Sequence, residues 1–437
     1  MTLRAPHRAH DAPQPLGGNA QRVLDQVDRM ADEIVALTLD LIRIPTVNPP
    51  GAHYRDCVEY LAQRLERFGF ETRLLPAEGR PEHTPAHPRI NLLAERRGRR
   101  PRPALHFNGH IDVVPAGAGW SVEPFAGQVI EDRIVGRGAS DMKAGIAASL
   151  FAGEAVRRAG LELEGTLQFS ATVDEESGGL AGMAHLCQHG WITRERCDYL
   201  VIPEPLGADR ICLGHRGVLW LEVTTLGRIA HGSMPFLGVS AVDHMAEFVH
   251  RLNRELRPRL EQRVTTMPVE PPAARRATLN INGLAGGQPP GALPQSPCVA
   301  DRCVAILDRR FLIEERPEQV RGEIVALLEQ LAAADPEFRF QIRDLLEVLP
   351  VWTDPESIVV QSAARAIQQL SGHDPPRIAS PGSYDQKHAV RLGGLSDCIA
   401  YGPGLLEQAH RPDEFCRIDD LVRATKVMAL MCLDLLG

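Results

Sequence analysis

Between Ala104 and Pro115 the chain reads ALHFNGHIDVVP, and this stretch limits what the rest can form. Leu105, Phe107, Ile111, Val113 and Val114 are residues of a buried strand, yet His110 and Asp112 stand among them. On extended backbone, residues two apart point the same way, so both side chains can face one site at the strand's end. Charge among apolar strand residues is costly unless something compensates it. A second acidic signal, Asp141 in GASDMKAG, follows about 30 residues later, and a third is the run Asp174, Glu175 and Glu176. This recurrence implies a polynuclear metal site.

A chain of 437 residues exceeds what one hydrophobic core normally fills, so two domains are expected. Strands alternate with helices from Ala20 to Ile202: helices over Ala20–Arg43, Tyr54–Phe70, Ala144–Ala159 and Leu180–Cys187, strands over Glu71–Leu75, Ile90–Ala94, Ala104–Phe107, Thr166–Thr172 and Tyr199–Ile202. Acidic residues lie beyond strand ends, which describes an α/β sheet with its site at the strands' C-terminal edge. Near Gly214 the pattern changes. Strands at Val218–Thr225, Ala277–Leu284, Cys303–Phe311 and Arg339–Leu345, with helices at Asp243–Leu260 and Pro317–Ala333, predict a small α+β domain with an antiparallel sheet. The α/β pattern returns at the helix Glu356–Leu370, the strand Asp397–Tyr401 and the helix Asp419–Leu436. The expected organisation is a catalytic domain over 20–213 and 349–437, interrupted by a smaller domain over 214–348.

A net charge of -8 gives no support for nucleic-acid binding, and the basic run Arg96–Arg102 lacks the interleaved aromatics that such binding uses. The first 19 residues lack the apolar stretch of a signal peptide, and no later run reaches membrane-spanning length, so a cytoplasmic enzyme is expected. Nine cysteines without a CxxC pair suit buried free thiols in a reducing compartment.

Two divalent ions need about six protein ligands and enough carboxylate to offset four positive charges. His110, Asp141, Glu176, Glu204 and His410 are the candidates, and water bound to such a pair ionises near neutrality. Asp112 is placed to accept the second ring proton of His110. Glu175, next to a ligand, is placed to take a proton from water and pass it to a leaving nitrogen.

The stretches GHIDVVP, GRGASDMKAG, DEES, PEP, GRIAHGSMP and YGPGLLEQAHRPDE resemble the dizinc amidohydrolase family of acetylornithine deacetylase, succinyl-diaminopimelate desuccinylase, aminoacylase and glutamate carboxypeptidase. The resemblance runs from about residue 30 to the C-terminus. It implies a mixed-sheet catalytic domain with helices on both faces, interrupted by an α+β lid and dimerisation domain with a four-stranded antiparallel sheet. It implies that Asp141 bridges two ions, most simply zinc with cobalt or manganese as alternatives, with His110 and Glu204 completing one site and Glu176 and His410 the other. It makes Glu175 the general base and Asp112 the residue that orients His110, and it implies a cis peptide after Asp141. His231 corresponds to a histidine that reaches the substrate carbonyl from a partner subunit, so a homodimer through residues 214–348 is expected. Arg310, in Asp308-Arg309-Arg310, corresponds to an arginine that holds a substrate carboxylate. Asn282, Tyr384 and Gly404 are further candidate substrate contacts.

The chain departs from the family at Ala144, where relatives carry a glycine, and at Ile313, where they carry a proline. Tyr384, Asp385, Lys387 and His388 also replace a simpler turn. The expected substrate is an N-acyl amino acid, acetyl or succinyl, or a short peptide. The alternatives are a carboxypeptidase releasing an acidic residue, hydrolysis of another C–N bond such as deamination of an aromatic amine, and a metal-free binding homologue. Against the last stands the presence of all five predicted ligands and of Glu175.

Overall fold

A computed structural model describes residues 17–288, 291 and 297–437. Most of the N-terminal segment and part of the Gly286–Pro297 excursion singled out in the sequence lie outside the described residues. Two compact units form. One comprises the chain to Leu213 with Thr353–Arg377 and Tyr384–Gly437, the other Gly214–Trp352 with Ile378–Ser383.

The first unit holds β1 (Glu71–Pro76), β2 (Ile90–Arg96), β3 (Ala104–His110), β4 (Thr166–Thr172), β5 (Tyr199–Ile202) and the start of β6 (Ile211–His215), whose last two residues belong to the second unit. They pair in the order β1-β2-β4-β3-β5, then the short strand Cys398–Ala400, then β6. The β4-β3-β5 centre and its Cys398–Ala400 neighbour are parallel, whereas β1, β2 and β6 pair antiparallel, so the sheet is mixed. Every residue of β3 and of β4 is buried, as parallel strands covered on both faces must be. On one face of β3, Leu105, Phe107 and Gly109 turn toward the alanine-rich helix Lys143–Arg158. A Cβ on Gly109 would lie 2.7 Å from the side chain of Ile146, so glycine is what allows this approach.

The alternate residues His106, Asn108 and His110 form a buried polar stripe on the other face. His106 is satisfied there by Gln168 Oε1 at 3.2 Å and Ser170 Oγ at 2.7 Å, both from β4. Burial, reinforced by the charge of Arg196, lowers the His106 pKa from 6.5 to about 4. The unfolded chain therefore binds a proton between those values that the folded chain does not. Stability from this residue is complete above pH 6.5 and is lost as the pH falls toward 4, a change of about 3 kcal/mol. A His106→Gln variant is expected to show a shallower acid-side fall in unfolding free energy, measured by urea titration, than the parent, the slopes differing by up to about 1.4 kcal/mol per pH unit. Parallel stability curves for the two proteins would contradict this.

The second unit holds β7 (Gly217–Leu226), β8 (Thr278–Gly286), β9 (Arg302–Phe311) and β10 (Arg339–Val348). They form an antiparallel sheet in the order β8-β9-β7-β10. One face of this sheet carries its own core, with Leu219, Leu221, Val223, Ala305 and Leu307 packed against Phe248, Leu252, Ile324 and Leu328.

Two long helices read from periodicity are broken. Residues 20–43 form two helices, Gly18–Arg29 and Ala31–Arg43, because Met30 leaves helical geometry at φ -96° and ψ 3°. The predicted helix Asp243–Leu260 is the helix Ala241–Arg251, a π turn Leu252–Leu256 and the helix Arg257–Glu261. Pro258 has no N–H and its ring collides with the carbonyl four residues back, so the chain widens by a residue before it. The strand Ile211–His215 was not anticipated, nor was the three-stranded sheet of Gln128–Ile130, Arg133–Val135 and Phe415–Arg417. Among the described residues no helix is long and apolar enough to cross a membrane.

Candidate metal centre

The end of β3, the turn before the helix Lys143–Arg158, the turn after β4 and the end of β5 each deliver one acidic or imidazole group to the same place. His110, Asp141 and Glu204 bring ligand atoms within 4.8 Å of one another, and so do Asp141, Glu176 and His410. Asp141 belongs to both triads. Its Oδ1 lies 3.1 Å from His110 Nε2 and its Oδ2 3.4 Å from His410 Nε2, so each oxygen faces a different triad. His410 Nε2 also lies 3.0 Å from Glu176 Oε1. The bond from Asp141 to Met142 is cis. A Cβ on Gly145 would meet the carbonyl of Pro203 at 2.0 Å, so only glycine lets the Asp141 turn approach Glu204 this closely.

Protonation chemistry shows that these groups suit cations. His110 Nδ1 lies 2.9 Å from the Asp112 backbone carbonyl, which can only accept, so Nδ1 carries a proton and Nε2 is the ring atom that faces the Asp141 and Glu204 carboxylates. Against burial, the carboxylates of Asp112, Asp141 and Glu204 raise the His110 pKa well above its ordinary value, so Nε2 faces a place that favours positive charge, which a proton or a metal ion can supply. Glu204 Oε1 is buried and makes no hydrogen bond among the described residues. Burial, then the charge of Asp141, pushes the Glu204 carboxyl well above its ordinary range, and the same two causes push Glu176 up to about 7. Two divalent ions relieve both effects by neutralising three clustered carboxylates. The two His/Asp/Glu sites therefore fit a dinuclear divalent-metal cofactor.

Asp112 meets His110 through both its backbone and its side chain. Its backbone carbonyl lies 2.9 Å from His110 Nδ1, and its carboxylate Oδ1 stands 3.6 Å from the same nitrogen. The carboxylate accepts from the backbone N–H groups of Glu175 and Glu176, both at 3.1 Å, and from Asn48 Nδ2 at 3.0 Å. Asp112 thus grips both the histidine and the acidic turn. A second buried anchor holds that turn: Asp174, in left-handed geometry at φ 61°, accepts from Arg89 Nε and Tyr54 Oη, each at 2.8 Å.

Three residues that hold the site were not assigned from sequence. Glu414, fully buried, accepts at Oε1 from the backbone N–H groups of Gly138, Ser140 and Asp141 at 3.1, 2.8 and 3.0 Å, and pairs through Oε2 with Arg137 Nη1 at 2.5 Å. Its only signal was a charged residue at the end of a stretch otherwise read for His410. Lys387, the third, donates from Nζ to Glu175 Oε1 at 2.8 Å.

The candidate substrate contacts fall differently. Tyr384 is 4% exposed and its hydroxyl donates to Gln386 Oε1 at 2.6 Å, so it packs in the interior of the first unit. Gly404 is buried at φ 85° against Ser140. In the second unit, Arg310 is held by Asp308 through Nε at 2.7 Å and Nη2 at 3.1 Å, and Asn282, exposed at the bulge in β8, accepts from Asn280 at 2.7 Å. His231 is exposed, and its Nδ1 accepts from the Ser233 N–H at 3.2 Å, which leaves the ring proton on Nε2.

Residues 106–434 match the model of peptidase family M20/M25/M40. Succinyl-diaminopimelate desuccinylase of Rhodospirillum centenum is 29% identical over 406 residues, covering 91% of this chain and 96% of that one. N-formyl-4-amino-5-aminomethyl-2-methylpyrimidine deformylase of Halalkalibacterium halodurans is 27% identical over 435 residues, covering 93% and 95%. Among solved structures, human carnosine dipeptidase 1 superposes with a TM-score of 0.77 at 19% identity, covering 96% of this chain and 99% of that one, a likeness of fold. The chain belongs to peptidase family M20/M25/M40, and its paired triads make it a dinuclear-metal-dependent amidohydrolase of that family.

Proposed function

We propose that the enzyme removes a small acyl group from the nitrogen of an amino acid or a related amine, with Asp141 shared between two metal ions, His110 and Glu204 on one, and Glu176 and His410 on the other. The observation that carries this reading is the pair of triads meeting at Asp141, with the Glu175 carboxylate on the same turn as Glu176. Of the relatives named above, the two similar in sequence are a desuccinylase and a deformylase, and they support an acylase more than a peptidase. Zinc suits the mixed imidazole and carboxylate donors, and cobalt or manganese fits the same ligands.

When bound, the two ions polarise the amide carbonyl and lower the pKa of water toward neutrality. Glu175 accepts the proton of the attacking water and returns it to the leaving nitrogen as the C–N bond breaks, so an amide and water become a carboxylate and an amine. Asp112 and Asp174 hold the turn that carries Glu175. His231, contributed by a partner subunit in a homodimer formed through residues 214–348, offers Nε2–H to the developing oxyanion. Arg310 retains Nη1 for a substrate carboxylate beside the two nitrogens that Asp308 occupies.

Product analysis of the metal-loaded protein on N-formyl, N-acetyl and N-succinyl amino acids and on peptides ending in an acidic residue tests the reading. Release of free amino acid from one or more N-acyl substrates, at a kcat/KM at least about tenfold above that on any peptide, is expected. Preferential cleavage of the peptides would replace the acylase by a carboxypeptidase.

A further inference from the structure

Lys387 lies in the segment Pro381–Arg391 that departs from the family resemblance, and its side chain is 6% exposed. A lysine is buried only where something holds its charge. Here Nζ donates at 2.8 Å to Glu175 Oε1, itself on a side chain 10% exposed, across 212 residues of sequence. Glu175 Oε2 makes no hydrogen bond among the described residues, so one carboxylate oxygen is tied and the other is available.

The lysine is in turn fixed from behind. It sits in the first turn of the helix Gln386–Arg391, which begins after Asp385. Asp385 Oδ2 accepts from Asn108 Nδ2 at 3.1 Å and from Thr172 Oγ1 at 3.3 Å, one from each of the two central strands. Asn108 continues through Ser170, whose hydroxyl donates to it at 2.7 Å, to His106. The start of that helix is therefore bolted to the polar stripe of β3 and β4, the same strands that deliver His110 and the Asp174–Glu176 turn. The carboxylates of Glu175 and Asp385 also outweigh burial and keep Lys387 more basic than an ordinary lysine.

We infer that Lys387 is a positioning residue for the reaction: it holds Glu175 Oε1 so that Oε2 faces the attacking water in the rotamer needed for proton transfer. The inference rests on the reading of Glu175 as the base. A free glutamate on a short turn samples several rotamers, and misplacement of a reacting group by about 1 Å costs on the order of 100-fold in rate. Removing the ammonium should therefore lower kcat and leave ion content and KM nearly unchanged.

The test compares Lys387→Met, Lys387→Gln, Lys387→Arg and Glu175→Gln with the parent, each loaded with zinc, on the best substrate of the panel above. Ions per chain are measured by elemental analysis, and a crystal structure of Lys387→Met locates Glu175. Expected are two ions per chain throughout, and a kcat lowered about 100-fold in the Met and Gln variants with KM within about threefold. Lys387→Arg should recover to within about tenfold of the parent, and Glu175 should be rotated away in Lys387→Met while the five ligands stay in place. Parental kcat in both the Met and Gln variants overturns the inference, as does a rise in KM alone or a loss that arginine does not relieve. If the Met variant does not fold, the Gln variant alone decides between these outcomes. Full turnover in Glu175→Gln overturns the prior reading of Glu175, whereas loss there beside unaffected Lys387 variants overturns only the role of Lys387.

Discussion

Asp141→Asn is expected to lose both metal ions together and to reduce turnover to background. Each Asp141 oxygen faces one imidazole, at 3.1 Å for His110 and 3.4 Å for His410, so the carboxylate is the only group common to the two triads. Asparagine keeps one oxygen of the two and removes one of the three negative charges that Asp141, Glu176 and Glu204 set against four positive ones. Its NH2 group would also point at one cation. Loss of groups that merely support ligands weakens metal binding about 10- to 100-fold, so loss of the shared ligand should exceed about 100-fold at both sites. Elemental analysis after dialysis against a weak chelator reads this directly. An Asp141→Asn protein that keeps two ions per chain at parental affinity would end the shared-carboxylate description.

Glu414→Gln has its largest expected effect on stability. The substitution leaves Arg137, 1% exposed, without its countercharge, and turns an amide NH2 either toward that guanidinium or toward three backbone N–H donors. Breaking a buried ion pair by removing one partner costs about 3–5 kcal/mol. The loss should appear as a lowered urea midpoint of the apoprotein, measured without metal so that ligand binding does not mask it. Because the three N–H groups belong to the loop that carries Asp141, metal affinity should fall as well. Replacing the pair by Arg137→Met and Glu414→Leu should recover only part of the stability, since those backbone donors stay unpaired in the interior. An unchanged midpoint in Glu414→Gln would show that Glu414 holds nothing.

Much of the fold was legible because its signals are local. The buried run of β3, the alanine-rich helix behind Asp141 and the alternation of β7 each declare themselves within about ten residues through a period of 2 or 3.6. The two helices that periodicity joined were broken by features outside that period, a non-helical Met30 and the absent N–H of Pro258. Short strands such as Gln128–Ile130 and Phe415–Arg417, of three residues each, carry too few side chains to show a pattern.

The site divides in the same way. His110, Asp141, Glu176, Glu204 and His410 stood out because acidic and imidazole groups beyond apolar strands need compensation, and the motifs around them are long. Which atoms hold them did not. The backbone carbonyl of Asp112 carries no residue-type signature, so its contact with His110 could not be read from the sequence. Tyr384 looked available because nothing local marks it as buried. Glu414 reaches Asp141 across 273 residues and Lys387 reaches Glu175 across 212. From the sequence alone came the kinds of element and the chemical types gathered at their ends, since both are written in short-range order. The tertiary structure alone decided who pairs with whom, because a hydrogen bond depends on distance and direction between atoms that only the completed sheet brings together.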